Sequence, residues 1–166
     1  MKALKAISLI AVIGVLFTLS NCGGGGTTPE PVADVQLAKL SKTWKLTAVT
    51  RDGQDQSSLY ATTGTPFQLT ITGTKGAASF GYTTKGNPPS ASVWKGSGSW
   101  VFGTQPETMI TRDPTGGNPP GTDKLEMSYT VTATTLEITF SFSGTGYPNQ
   151  GRSEVVNGAW KFTFGQ

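Results

Sequence analysis

The stretch KLEMSYTVTATTLEITFSFSG, Lys124 to Gly144, decides how the chain folds. If it turns about Ala133-Thr134, Val131 faces Leu136, Tyr129 faces Ile138, Met127 faces Phe140 and Leu125 faces Phe142. The other face then pairs Thr130 with Glu137, Ser128 with Thr139 and Glu126 with Ser141. One register sorts every apolar side chain from every polar one, and a slip by one residue would mix them. The connection lacks the Asn-Gly favoured in a two-residue turn, so a four-residue loop in the same register is expected.

Working outward, the same period of two recurs. Thr43 to Val49 places Trp44, Leu46 and Ala48 on one face and Lys45, Thr47 and Val49 on the other, and Arg51-Asp52-Gly53 then turns the chain. Pro66 to Thr72 sets Phe67, Leu69 and Ile71 against Gln68, Thr70 and Thr72. Strands are also expected over Ala78–Thr84, Ser92–Phe102 and Glu107–Arg112, and over Gly158–Phe164, where Trp160, Phe162 and Phe164 share a side. Val35 to Leu40 reads as a short helix and Ser57 to Tyr60 as a single helical turn. About eight consecutive strands joined by glycine, asparagine and proline loops leave no room for crossover helices. The fold class is therefore all-β. An antiparallel eight-stranded up-and-down barrel removes exposed edges most simply, and a two-sheet β-sandwich is the alternative.

Upstream, Lys2 and Lys5 precede an uncharged, mainly apolar run from Ala6 to Leu19. A basic head before an apolar segment of about 14 residues, against the roughly 20 that span a bilayer, reads as a secretion signal. Leu19-Ser20-Asn21-Cys22 resembles the lipobox of bacterial lipoproteins. That resemblance implies that Cys22 receives a diacylglycerol, that the chain is cut before it, and that the mature protein hangs from a membrane by acyl chains. Each buried methylene of such chains contributes about 0.8 kcal/mol. Gly23–Gly26, Thr27, Thr28 and Pro29-Glu30-Pro31 offer no apolar face and read as a tether. The expected organisation is a signal peptide over 1–21, a lipidated tether over 22–36 and one β-barrel domain over 37–166.

Composition narrows the functions open to that domain. Of the 13 Lys and Arg, Lys2 and Lys5 belong to the leader, leaving 11 against 10 Asp and Glu in the mature chain. No basic cluster remains there to neutralise phosphates, which argues against nucleic acid as a partner. The chain has no histidine, so the commonest general base, the commonest metal ligand and a Ser-His-Asp triad are all missing. Glu126 and Glu137 fall on the polar hairpin face among Ser and Thr, as on a solvated strand. Asp113 and Asp123 bracket a loop that could hold calcium but lack a spaced ligand series. Gly96-Ser97-Gly98 and Gly144-Thr145-Gly146 lack the lysine of a phosphate loop and read as turns. The chain is accordingly read as a non-enzyme, with no catalytic residues, no cofactor and no metal site.

The opening LSKTWKLTAVTRDG, Leu40 to Gly53, resembles the first strand of the lipocalin-like domains of secreted Bacteroidota lipoproteins, with Trp44, Leu46, Asp52 and Gly53 matching and Lys42 at the family's glycine position. GSWVF, Gly98 to Phe102, the central hairpin and GAWKFTF, Gly158 to Phe164, are similar in order and spacing. The resemblance implies a calyx in which Trp44 plugs the closed end, with Arg152 as its candidate cationic partner, and binding of a small hydrophobic ligand. Trp44, Phe67, Phe80, Trp100, Tyr129, Phe140 and Trp160 would line that pocket. The competing reading is that they fill the barrel, because eight strands enclose a space that side chains alone can occupy. Trp94 and Tyr147 have loop-like flanks and are the candidates for recognition by loops. Two functions follow: a lipid-anchored binder of a small hydrophobic molecule, or an interaction lipoprotein that contacts an envelope protein or a glycan through loops such as Gly86–Ser90 and Thr115–Thr122. Gly23 after Cys22, and a first acid only at Glu30, point by analogy to lipid anchoring at the outer membrane, on its periplasmic face, with surface exposure as the alternative.

Overall fold

The computed structural model describes residues 28–61, 65–87, 92–117, 121, 123–147 and 154–166. The leader, Cys22 and Arg152 lie outside the described residues. The chain forms α1 (Val32–Leu40), β1 (Thr43–Arg51), β2 (Gln54–Asp55), α2 (Ser57–Tyr60), β3 (Gln68–Thr72), β4 (Phe80–Lys85), β5 (Ser97–Phe102), β6 (Met109–Arg112), β7 (Leu125–Val131), β8 (Thr135–Phe142) and β9 (Gly158–Gly165). Every neighbouring pair from β3 to β9 is antiparallel and consecutive, and β1 pairs with both β3 and β9. The sheet therefore closes into an eight-stranded up-and-down barrel of the lipocalin-like kind, with β2 a short extension of β1. Closure through β1 and β9 excludes the two-sheet sandwich, which would leave both edges open.

The central hairpin has the expected register: Val131 opposes Leu136, Thr130 opposes Glu137, Tyr129 opposes Ile138 and Ser128 opposes Thr139. Its turn is closed by the Thr132 N–H donating to the Thr135 carbonyl at 2.9 Å, while the Thr132 hydroxyl accepts from the N–H groups of Thr134 and Thr135. Threonine thus supplies locally what Asn-Gly would supply by backbone conformation. At the other hairpin, Asp52 and Gly53 adopt φ of 49° and 78°, the left-handed pair that a tight two-residue turn requires.

Three expectations are corrected. In β1 the alternation does not run through: the register against β9 shifts between Leu46 and Ala48, so Val49 is buried and Ala48 exposed. A β-bulge inserts one residue and flips the parity beyond it. Helix α1 begins at Val32, so residues 32–36, read as tether, are helical. Pro31 accepts at its carbonyl from Asp34 and Val35, and Asp34 and Lys39 lie in the turns where the helix dipole favours them. Finally, the strand expected from Ser92 begins only at Ser97, because Ser92 to Gly96 turns into the barrel mouth.

The barrel has two unlike ends. At the helix end, short connections 73–79, 103–108 and 132–134 surround α1, whose Leu37 and Leu40 are buried. Gly73 is required there, since a Cβ would lie 2.5 Å from the Leu37 side chain and 2.7 Å from Phe80. Lys42 reaches across to the Ala133 carbonyl, and Lys75 pairs with Glu30 beside the entering chain. At the loop end lie the described parts of the longer connections, residues 52–61, 65–67, 86–87, 92–96, 113–117, 121, 123–124, 143–147 and 154–157.

Between the ends the interior is aromatic. Phe162 stacks on Phe140 at 5.9 Å and 7°, and meets Tyr60 at 5.2 Å, Trp94 at 5.8 Å and Phe67 at 6.0 Å. Each such ring contributes roughly 1.5–3 kcal/mol by burial. Among the described residues, the cavity lined by Leu69, Ile71, Trp100 and Ile138 measures about 20 Å³.

Candidate functional site

The residues expected to line a ligand pocket are brought together, but against one another. Trp44, Phe67, Trp100, Tyr129, Phe140 and Trp160 are all buried, and Phe80 is half-buried in a cluster with Trp100 at 4.6 Å and Phe102 at 5.7 Å. Trp44 packs under α1, its indole N–H donating to the Leu40 carbonyl at 2.9 Å, with the Lys42 ammonium 5.2 Å from its ring. The cation over Trp44 among the described residues is thus the lysine standing at the glycine position of the motif. A cavity of about 20 Å³ is no larger than one water needs. Ligand pockets for drug-sized molecules run to several hundred Å³.

The chemistry of the molecule gathers at the loop end. β6 alternates against β5, and Trp100, which points inward, opposes Arg112. Period two therefore carries Arg112 into the barrel two residues after Ile110, and it is 1% exposed. Its guanidinium lies between two rings, 5.4 Å from Trp94 and 5.5 Å from Tyr147, and its Nη1 donates to the Val93 carbonyl at 2.6 Å. Asp113 follows at φ 47°, a left-handed conformation rare for a residue before proline. It is held there by its N–H donating to the Ser99 carbonyl at 2.7 Å and by its carboxylate accepting from the Ser99 N–H at 3.0 Å. The Tyr82 hydroxyl donates to the same carboxylate at 3.1 Å, and Arg112 Nε stands 3.5 Å from it.

Lys95 joins this group to the rim. Its ammonium lies 2.5 Å from Asp123, 3.5 Å from Asp113 and 5.1 Å from the Tyr147 ring. Burial works against its charge, but the hydrogen bond to Asp123 and the nearby Asp113 outweigh burial and hold the ammonium above its usual pKa. The two aspartates that bracket the loop do converge, around the Lys95 ammonium. Among the described residues, no group of three or more carboxylate, cysteine or histidine side chains is placed to hold a metal. The four charges balance, so the cluster is neutral as a whole. Burial raises the pKa of Tyr82 and pushes that of Tyr60, packed on Phe67 and Phe162, up to about 12.

Gly98 makes this arrangement possible. It opposes Tyr82 in the β4–β5 ladder, and a Cβ there would lie 2.2 Å from the Asp113 carboxylate and 2.6 Å from Tyr82. The Gly96–Gly98 segment read as a turn thus ends inside a strand, at a place where only hydrogen fits.

The expectation of an exposed Trp94 is corrected: it is 3% exposed, packed on Tyr82, Phe140 and Phe162. Tyr147 is half-buried and stitched to Ser92 by a pair of backbone hydrogen bonds of 2.7 and 3.1 Å. Both close the mouth instead of presenting rings to solvent. Arg112 was not singled out from the sequence, since an arginine ending a short strand reads as a solvated terminus. The available signal was its parity with Ile110. Comparisons with protein-family models, with curated proteins and with solved structures found no match to this chain.

Proposed function

We propose that this chain is a lipid-anchored envelope protein whose filled barrel acts as an interaction module, meeting a partner protein through its loop end. The filled interior carries this reading: with about 20 Å³ left inside, a small hydrophobic ligand has nowhere to sit unless the aromatic core is dismantled. The polarity of the fold supports it. The chain enters at the helix end, where Glu30 pairs with Lys75, so an anchor at Cys22 would hold that end within about 30 Å of the bilayer. The loop end then points outward. The large hydrophobics exposed among the described residues are Val32, 51% exposed and next to the tether, and Leu59 and Val155, 51% and 65% exposed on loop-end connections. Aliphatic side chains of this kind suit a protein surface, whereas stacking on sugars needs exposed aromatic faces, and Trp94 and Tyr147 are turned inward.

A photo-crosslinking amino acid placed in the anchored protein at Val155 or Leu59 should give one discrete protein adduct in the native envelope, and at Thr134 or Lys75 none. Adducts that form equally from both ends, or only from the helix end, would contradict the assignment.

A further inference from the structure

Asp113 precedes Pro114, and this is the only Asp-Pro bond in the chain. A peptide bond to proline is a tertiary amide, whose nitrogen leaves as a secondary amine that readily takes up a proton. An aspartate in front of it carries its own nucleophile, because a carboxylate oxygen can close a five-membered ring on the neighbouring carbonyl carbon. Such an attack draws its rate from proximity, and the fold decides how far it is favoured.

Here the fold favours it from several sides. Asp113 sits at φ 47°, where the following proline ring crowds the backbone. That conformation is pinned by Ser99, whose carbonyl accepts from the Asp113 N–H at 2.7 Å and whose N–H donates to the Asp113 carboxylate at 3.0 Å. Strain held in this way is released when the bond to Pro114 breaks. The Asp113 carbonyl oxygen accepts from the Gly116 N–H at 3.0 Å, a donor placed where negative charge grows as the carbonyl carbon becomes tetrahedral. Glycine lets this turn close so tightly, since a Cβ at 116 would lie 3.0 Å from Asp113 Cβ. The carboxylate is enclosed by Tyr82, Arg112 and Lys95, and Asp113 is only 4% exposed, so little solvent has to be stripped from the attacking oxygen.

We propose that Asp113–Pro114 is a self-cleavage site of the folded chain. A side-chain oxygen of Asp113 bonds to the Asp113 carbonyl carbon, and the bond from that carbon to the Pro114 nitrogen breaks as the nitrogen takes a proton from solvent acid. The cyclic anhydride left on Asp113 then adds one water, which restores the side-chain carboxylate and gives a new C-terminus at Asp113. No electrons change hands, and one water is consumed. The two pieces stay together, because β7, β8 and β9 on the second piece pair with β6 and β1 on the first. The cut therefore frees the start of the β6–β7 connection at the loop end without opening the barrel wall.

The test is to hold the full chain in detergent at mildly acidic pH, folded in one sample and unfolded by urea in another, and to follow both by denaturing mass spectrometry. Fragments 1–113 and 114–166, each counted from whatever terminus the purified chain carries, should form at least about tenfold faster in the folded sample, and Pro114→Ala should abolish them. Equal or slower cleavage in the folded sample would overturn the proposal. Cleavage that persists after residue 113 in Pro114→Ala would overturn it as well, since a contaminating protease and not the proline leaving group would then be responsible.

Discussion

At the helix end of the barrel Leu37, Leu40 and Trp44 close the interior with carbon packed on carbon, whereas at the loop end Arg112, Asp113, Lys95 and Asp123 close it with charge. The topological task is the same. The apolar plug draws on burial alone and has no preferred direction, while the charged plug needs each partner in place, because a lone buried ion is severely destabilising. A charged plug therefore fixes which segments meet, namely residues 92–96 with Tyr147, in a way that grease would not.

The sharpest way to break this contrast is Arg112→Ala, which leaves the buried Asp113 with Lys95, 3.5 Å away, as its remaining cation among the described residues. A loss of about 3–5 kcal/mol is expected in urea unfolding, with Arg112→Met losing less because the stacked volume is kept. A loss below about 1 kcal/mol from Arg112→Ala would mean that the loop end is held by packing after all. At the opposite end Leu40→Ala should lose about 3 kcal/mol through the cavity it leaves.

Alkali should separate the ends next. The Tyr60 phenol, pushed up by burial to about 12 from an ordinary value near 10, keeps its proton in the folded chain while the unfolded chain releases it. Its contribution is therefore whole below pH 10 and is lost as the pH climbs towards 12, about 3 kcal/mol in all. Unfolding free energies measured at successive pH values should show this fall, and Tyr60→Phe should make it shallower, leaving the share that the buried Tyr82 and Tyr129 phenols contribute. An unchanged slope in Tyr60→Phe would place the alkaline sensitivity elsewhere. The smallest effect belongs to the outer wall, where Lys161 and Glu137 pair at 2.6 Å in the open. Lys161→Ala should change stability by less than about 1 kcal/mol.

The wall of the barrel was legible in the sequence and its contents were less so. Leu125 to Phe142 could be registered because both faces are sorted without exception, and Asp52-Gly53 announced its turn. The bulge in β1 escaped because Ala48 and Val49 are both apolar, so the shift from one to the other leaves no mark in the alternation. The loop-end cluster escaped for a different reason. The pairs Trp94-Lys95 and Arg112-Asp113 come from separate stretches of the chain, and each looks like surface until closure brings them together. Trp94 misled most: its flanks are those of a loop, but the Ser92 hydroxyl accepts its backbone N–H at 3.0 Å and turns the ring inward.

The central claim is that the barrel is full. Native mass spectrometry of the full chain purified from its own cells, compared with its denatured mass, tests this directly. Equal masses are the predicted result. An excess that vanishes on denaturation would show a bound small molecule inside and contradict the account.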